Sequence, residues 1–142
     1  MKTPRLPFLI AALALAASAA HAASVEGDWL TPNGGAKVHI APCGGKLCGA
    51  IVWLRHPTDK AGQLQRDAYN PNPALKTRPV MGIRVLSGFK PAGDGRWDGG
   101  SIYNPSNGKT YDSRMNLDSN GALKVQGCVV IACITQTWTR AS

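Results

Sequence analysis

Short β-rich runs alternate with turn residues from Val25 to Arg140, and no stretch between them keeps the spacing of apolar residues that lets a helix bury one face. Eight runs qualify as strands: about Val25 to Thr31, Ala36 to Ala41, Cys48 to Arg55, Val80 to Phe89, Arg96 to Tyr103, Lys109 to Leu117, Ala122 to Val130 and Ile134 to Arg140. Most connections carry residues that tolerate positive φ, as in Pro32-Asn33-Gly34-Gly35 and Asp118-Ser119-Asn120-Gly121, so neighbouring runs pair antiparallel. In the sixth run Tyr111, Ser113, Met115 and Leu117 share one face, and Thr110, Asp112, Arg114 and Asn116 the other. The third, Ala50-Ile51-Val52-Trp53-Leu54, is apolar on both faces and implies cover from outside. The expected fold is all-β, with eight antiparallel strands at the spacing of a barrel or a sandwich, and an up-and-down barrel of that strand number either fills with side chains or encloses one small ligand.

The N-terminus has a different character. Met1 to Arg5 is basic, Leu6 to Ala17 is apolar but too short to span a bilayer, and Ala20-His21-Ala22 supplies a small-residue exit. The expectation is a signal peptide over residues 1–22, cleaved before Ala23, followed by one barrel domain over residues 23–142 of a periplasmic or secreted protein without a transmembrane span. The formal charge of +8 falls to +6 once Lys2 and Arg5 leave. Basic residues then stand singly from Lys37 to Arg140, which argues against nucleic acid and suits an envelope component or no partner at all.

Cys43, Cys48, Cys128 and Cys133 form two equally spaced pairs, in a compartment where disulfides persist. Three connectivities are possible; the local one, Cys43 to Cys48 and Cys128 to Cys133, is favoured because each pair flanks a hairpin bend. A zinc site fits less well, since the spacing is long and no histidine stands beside either pair. No metal or cofactor is expected.

Gly27-Asp28-Trp29 near the start and Trp138-Thr139-Arg140 at the end resemble the signature of the lipocalin and calycin barrels. In those proteins an arginine late in the last strand packs across the Gly-x-Trp tryptophan, which here makes Trp29 and Arg140 the barrel-closing pair. Nearly the whole chain after residue 22 also resembles a secreted bacterial family, domain of unknown function 2147. The residues that carry the resemblance include Cys43-Gly44-Gly45-Lys46-Leu47-Cys48-Gly49, the segment Asp67 to Asn70, Arg78-Pro79, Trp97 with Gly99-Gly100 and Ile102-Tyr103, Gly108-Lys109-Thr110-Tyr111, and Thr137-Trp138-Thr139-Arg140. The resemblance implies a secreted calycin-like barrel and brings no activity with it.

The long connection from His56 to Pro79 is the segment expected to carry function. A short helix over Gln63 to Tyr69 has little room between Gly62 and the prolines that follow. No nucleophile or metal motif occurs, so catalysis is not expected; Asp67, Arg78 and His56 would be its first suspects. The expected function is noncatalytic binding of a small apolar or amphipathic ligand. Tyr69, Asn70 and Arg78 would orient it at the mouth, and Trp53, Tyr103 and Tyr111, with Met81, Ile83 and Met115, would line the cavity. The alternative is a filled barrel that binds anionic lipid, cell-wall polymer or a protein through basic residues such as Arg55, Arg66, Lys76 and Arg84.

Overall fold

The computed structural model describes residues 24–142; the expected leader, residues 1–22, and its cleavage point lie outside them. Eight strands close into an up-and-down barrel: β1 (Gly27–Leu30), β2 (Ala36–Cys43), β3 (Lys46–Leu54), β4 (Arg84–Pro91), β5 (Arg96–Asn104), β6 (Lys109–Leu117), β7 (Leu123–Val129) and β8 (Ala132–Arg140). Each pairs antiparallel with the next and β8 returns to β1, as the turn chemistry predicts. Two short 3-10 turns, Pro32–Gly34 and Pro73–Leu75, interrupt the connections.

The up-and-down order puts the β2–β3, β4–β5 and β6–β7 turns at one end, here the lower, and the β1–β2, β3–β4, β5–β6 and β7–β8 connections at the upper. Period-two alternation turns Trp29, Val38, Ile40, Met115, Leu123, Val125 and Trp138 inward, where all are buried. The outer residues of β6, Thr110, Asp112, Arg114 and Asn116, are exposed. Apolar inside and polar outside is the reverse of a lipid-embedded barrel. Close packing in the lower half depends on missing side chains: a Cβ on Gly100 would fall 2.6 Å from the Phe89 ring, and one on Gly49 2.9 Å from Val38. Each buried Trp, Phe or Leu there contributes roughly 1.5–3 kcal/mol.

At the lower end stands the pair that the terminal motifs single out. The Arg140 guanidinium lies 4.1 Å from the Trp29 ring centroid. It donates to the carbonyls of Glu26 at 2.7 Å and Ser24 at 2.8 Å, and the Trp29 indole donates to Val25 O at 2.8 Å. Both disulfides are local, Cys43–Cys48 across the β2–β3 turn and Cys128–Cys133 across the β7–β8 turn.

Three expectations are corrected. Val80 to Ile83 precedes the fourth strand, and Gly82 and Ile83 bond to Ile51 instead. Gln63 to Tyr69 forms no helix: Thr58 bridges Leu64 and Arg66 bridges Pro79, so the segment doubles back as an irregular hairpin. The outer cover expected over the third strand is absent, for Val52 and Trp53 are exposed. It falls on β4, where Val85, opposite in facing to Leu86 and across from Tyr103, is buried.

Candidate functional site

The connection from Arg55 to Ile83 is a fixed strap. Its hub is Asp67, whose side chain is 0 % exposed. Asp67 accepts hydrogen bonds from the Tyr103 hydroxyl at 2.5 Å, Asn70 Nδ2 at 2.8 Å and Arg78 Nε at 2.9 Å. Arg78 also lies over the Tyr103 ring, 5.9 Å from its centroid. Burial alone would push the Asp67 carboxyl up; the hydrogen bonds from Tyr103, Asn70 and Arg78 outweigh it and hold the group below the usual carboxylate range. Burial and then the neighbouring carboxylate raise the Tyr103 hydroxyl, which keeps it protonated and donating. The strap also presses on the β5–β6 turn: a Cβ on Gly108, itself at φ +70°, would collide with the Tyr69 carbonyl oxygen. With its three donors, Asp67 acts as an anchor between strap and barrel wall.

The upper end opens on the side away from the strap. β1 is four residues long and pairs with β8 only at Trp29–Arg140 and Leu30–Thr139. The chain then leaves through the Pro32–Gly34 turn, and the upper half of β8 has no strand partner on that side. Inward-facing positions there meet water: Val129 is 57 % exposed and Ile134 75 %, although alternation places them on the face of the buried Val125 and Trp138. Tyr111 and Ile102 flank Gly127 on the same face. Where the packed lower half gives way to this opening stands Ser113, between Gly100 on β5 and Gly127 on β7. Its hydroxyl is buried and has no hydrogen-bond partner among the described residues. A cup with an apolar rim and one unspent polar group at its floor suits a small ligand with a mostly apolar body.

The residues singled out from the sequence divide between places. Asn70, Arg78 and Tyr103 come together around Asp67, with Tyr103 on the outer face of β5. Tyr69 is exposed beside them and contributes its backbone to the strap contact. Trp53 pairs with Lys37 on the outer wall, 40 % exposed, with the Lys37 ammonium 5.5 Å from its ring centroid. Tyr111 faces the opening, and its hydroxyl meets the side-chain amide of Asn107 at 2.9 Å. Met81 is exposed, while Ile83 and Met115 are core. Sequence reasoning missed Val129 and Ile134, which look like core because only the shortness of β1 uncovers them. Ser113 was legible as an inward residue but not as an unpartnered one. Among the described residues no group of three or more His, Cys, Asp or Glu could hold a metal ion, and no helix is long and apolar enough to cross a membrane.

Comparison with known proteins agrees with this architecture. No curated protein matches the sequence. Among solved structures, protein HP1028 from the human pathogen Helicobacter pylori, described as belonging to the lipocalin family, superposes with a TM-score of 0.71 at 28 % identity, covering 84 % of each chain. The family model described as an uncharacterized protein conserved in bacteria matches residues 27–140, from the glycine before Trp29 to the arginine that closes over it, and the chain belongs to that family, DUF2147.

Proposed function

We propose that this chain is a noncatalytic binding protein of the bacterial envelope that holds a small apolar or amphipathic ligand in the upper end of its barrel. The lipocalin-like barrel supports small-ligand binding in general, and the observation that carries the finer reading is the exposure of Ile134 on the inner face, above a close-packed lower core. An apolar side chain aimed at a barrel axis and left wet gains most from a ligand that dries it. The buried, unpartnered Ser113 hydroxyl favours an oxygen or nitrogen at the deep end of that ligand. Two disulfides suit an oxidising compartment. Trp53, on the outer wall, has no part in this site, and Asn70, Arg78 and Tyr103 support it by fixing the strap.

Native mass spectrometry of the protein purified gently from its own envelope tests the reading. The expected result is a stoichiometric extra mass, lost on denaturation, that the Ile134→Asp variant fails to carry. No extra mass, together with no saturable binding of anilinonaphthalene sulfonate that Ile134→Asp abolishes, would overturn it.

A further inference from the structure

The β7–β8 hairpin ends in Val130-Ile131, two central turn residues that are wholly exposed at 103 % and 95 % of their free area. Every other hairpin turn of the barrel contains glycine, as Gly44-Gly45, Gly93 with Gly95, Gly108 or Gly121. A β-branched pair is a poor choice for a tight turn, which asks for Gly, Asn, Asp or Pro. The Cys128–Cys133 bond, directly below the turn, holds the ends together where turn chemistry does not. A local rule broken in favour of exposed apolar groups, and stapled to make it stand, marks a functional surface.

The charge at that end is also uneven. The upper connections and strand ends carry Arg55, Lys60, Arg66, Lys76, Arg78, Arg84 and Lys109 against Asp59 and Asp67, whereas the lower end balances Lys46, Arg96 and Arg140 against Glu26, Asp94 and Asp118. The open groove beside Val130 and Ile131 is itself balanced, with Lys109 and Arg114 against Asp98 and Asp112, so the excess of positive charge comes from the strap. An apolar tip on a positively charged end is complementary to one surface above all, an anionic bilayer, where the tip dries in the acyl boundary and the basic groups meet head-group phosphates.

We infer that the protein docks upper end first on anionic lipid surfaces, with Val130 and Ile131 as the inserted tip. The tip residues form the turn itself, one step beyond the strand positions Val129 and Ala132, and they line one groove with Tyr111, Ser113 and Val129 of the ligand cup. Docking in this pose sets the opening of the cup against the membrane.

The test is flotation with phosphatidylcholine vesicles, with and without phosphatidylglycerol. It uses the chain as produced, its N-terminus read by intact mass and kept the same in every variant. Wild type is expected to float with the anionic vesicles and lose them in high salt. Val130→Asp/Ile131→Asp is expected to bind at least about tenfold more weakly. Val130→Leu/Ile131→Leu is expected to bind like wild type, and Ile131→Trp to shift its emission to the blue on binding. Retention of both disulfides and of the circular dichroism spectrum shows that the Asp variant is folded, and an unchanged ligand mass in it separates this inference from the cup. Wild type that ignores anionic vesicles, an Asp variant that still floats, an Ile131→Trp emission that stays red, or a tip that drives only self-association in sedimentation would each overturn the proposal.

Discussion

The Tyr103 hydroxyl donates to Asp67 at 2.5 Å, and this contact binds a residue of the strap to the outer wall of β5 across 36 positions of sequence. A hydrogen bond to a buried charged group is worth about 1.5–3 kcal/mol, more than most single contacts in a domain of this size. Tyr103→Phe keeps the ring under Arg78 and removes the hydroxyl, which donates to Asp67 and also accepts from Asn70 Nδ2 at 3.2 Å. The expected loss of stability is of that size, measured by urea unfolding, with protease cleavage appearing between residues 56 and 79. A variant as stable and as resistant as wild type would show that Asn70 and Arg78 alone suffice.

Asp67 also sets an acid limit. Its folded-state value lies below the ordinary carboxylate one, so the unfolded chain binds the proton first as pH falls. The contribution is fully present at neutral pH and is lost on acidification below about pH 5. Asp67→Asn is expected to be less stable than wild type at neutral pH, yet to lose less on acidification. Parallel stability curves for the two proteins between neutral and acid pH would remove Asp67 from that account.

Gly108 is where the strap and the β5–β6 turn touch most closely. Gly108→Ala places a methyl against the Tyr69 carbonyl in a backbone conformation that L residues avoid, so the strap must lift or the turn distort. The expected cost is about 2 kcal/mol or more. Gly121→Ala, also at positive φ but with open space around it, carries only the backbone part and serves as control. Equal losses in the two variants would deny the strap contact its role.

The barrel was legible because its evidence is local. Alternation along β6, turn residues between runs and cysteines beside bends each act within one hairpin, and antiparallel neighbours turn eight such hints into a closed sheet. Trp29 and Arg140 were legible for another reason: their motif fixes two distant positions that only closure brings together. What escaped is what depends on length mismatch and register. Trp53 looks like lining until the irregularity between Lys37 and Val38 sends it outward. Val129 and Ile134 look like core until β1 stops at Leu30 and leaves them uncovered. Asp67 attracted notice as a catalytic suspect and as part of the family resemblance, but nothing in the order of residues says that three donors converge on it.

At the lower end, Arg140 does three things at once: it stacks on Trp29 and ties the carbonyls of Glu26 and Ser24. Arg140→Lys retains the charge but loses the planar fork. It is expected to cost about 1–2 kcal/mol and to speed hydrogen exchange in residues 24–30 ahead of the rest. Exchange that quickens evenly over the whole barrel would instead mean that β1 is held by the core alone.

Ser113 separates stability from function. Its hydroxyl is buried between Gly100 and Gly127 without a partner, a situation that costs the empty protein about 1–3 kcal/mol relative to an apolar group of the same shape. Ser113→Ala is therefore expected to raise the thermal midpoint of ligand-free protein. If the hydroxyl serves the deep end of a ligand, the same change is expected to weaken binding of the copurified compound by about tenfold, the worth of one hydrogen bond. A core serine with no ligand role would give the first effect without the second, and an ordered water beneath it would give neither. The pair of measurements, thermal unfolding of stripped protein and a titration with the recovered compound, thus tells the three arrangements apart.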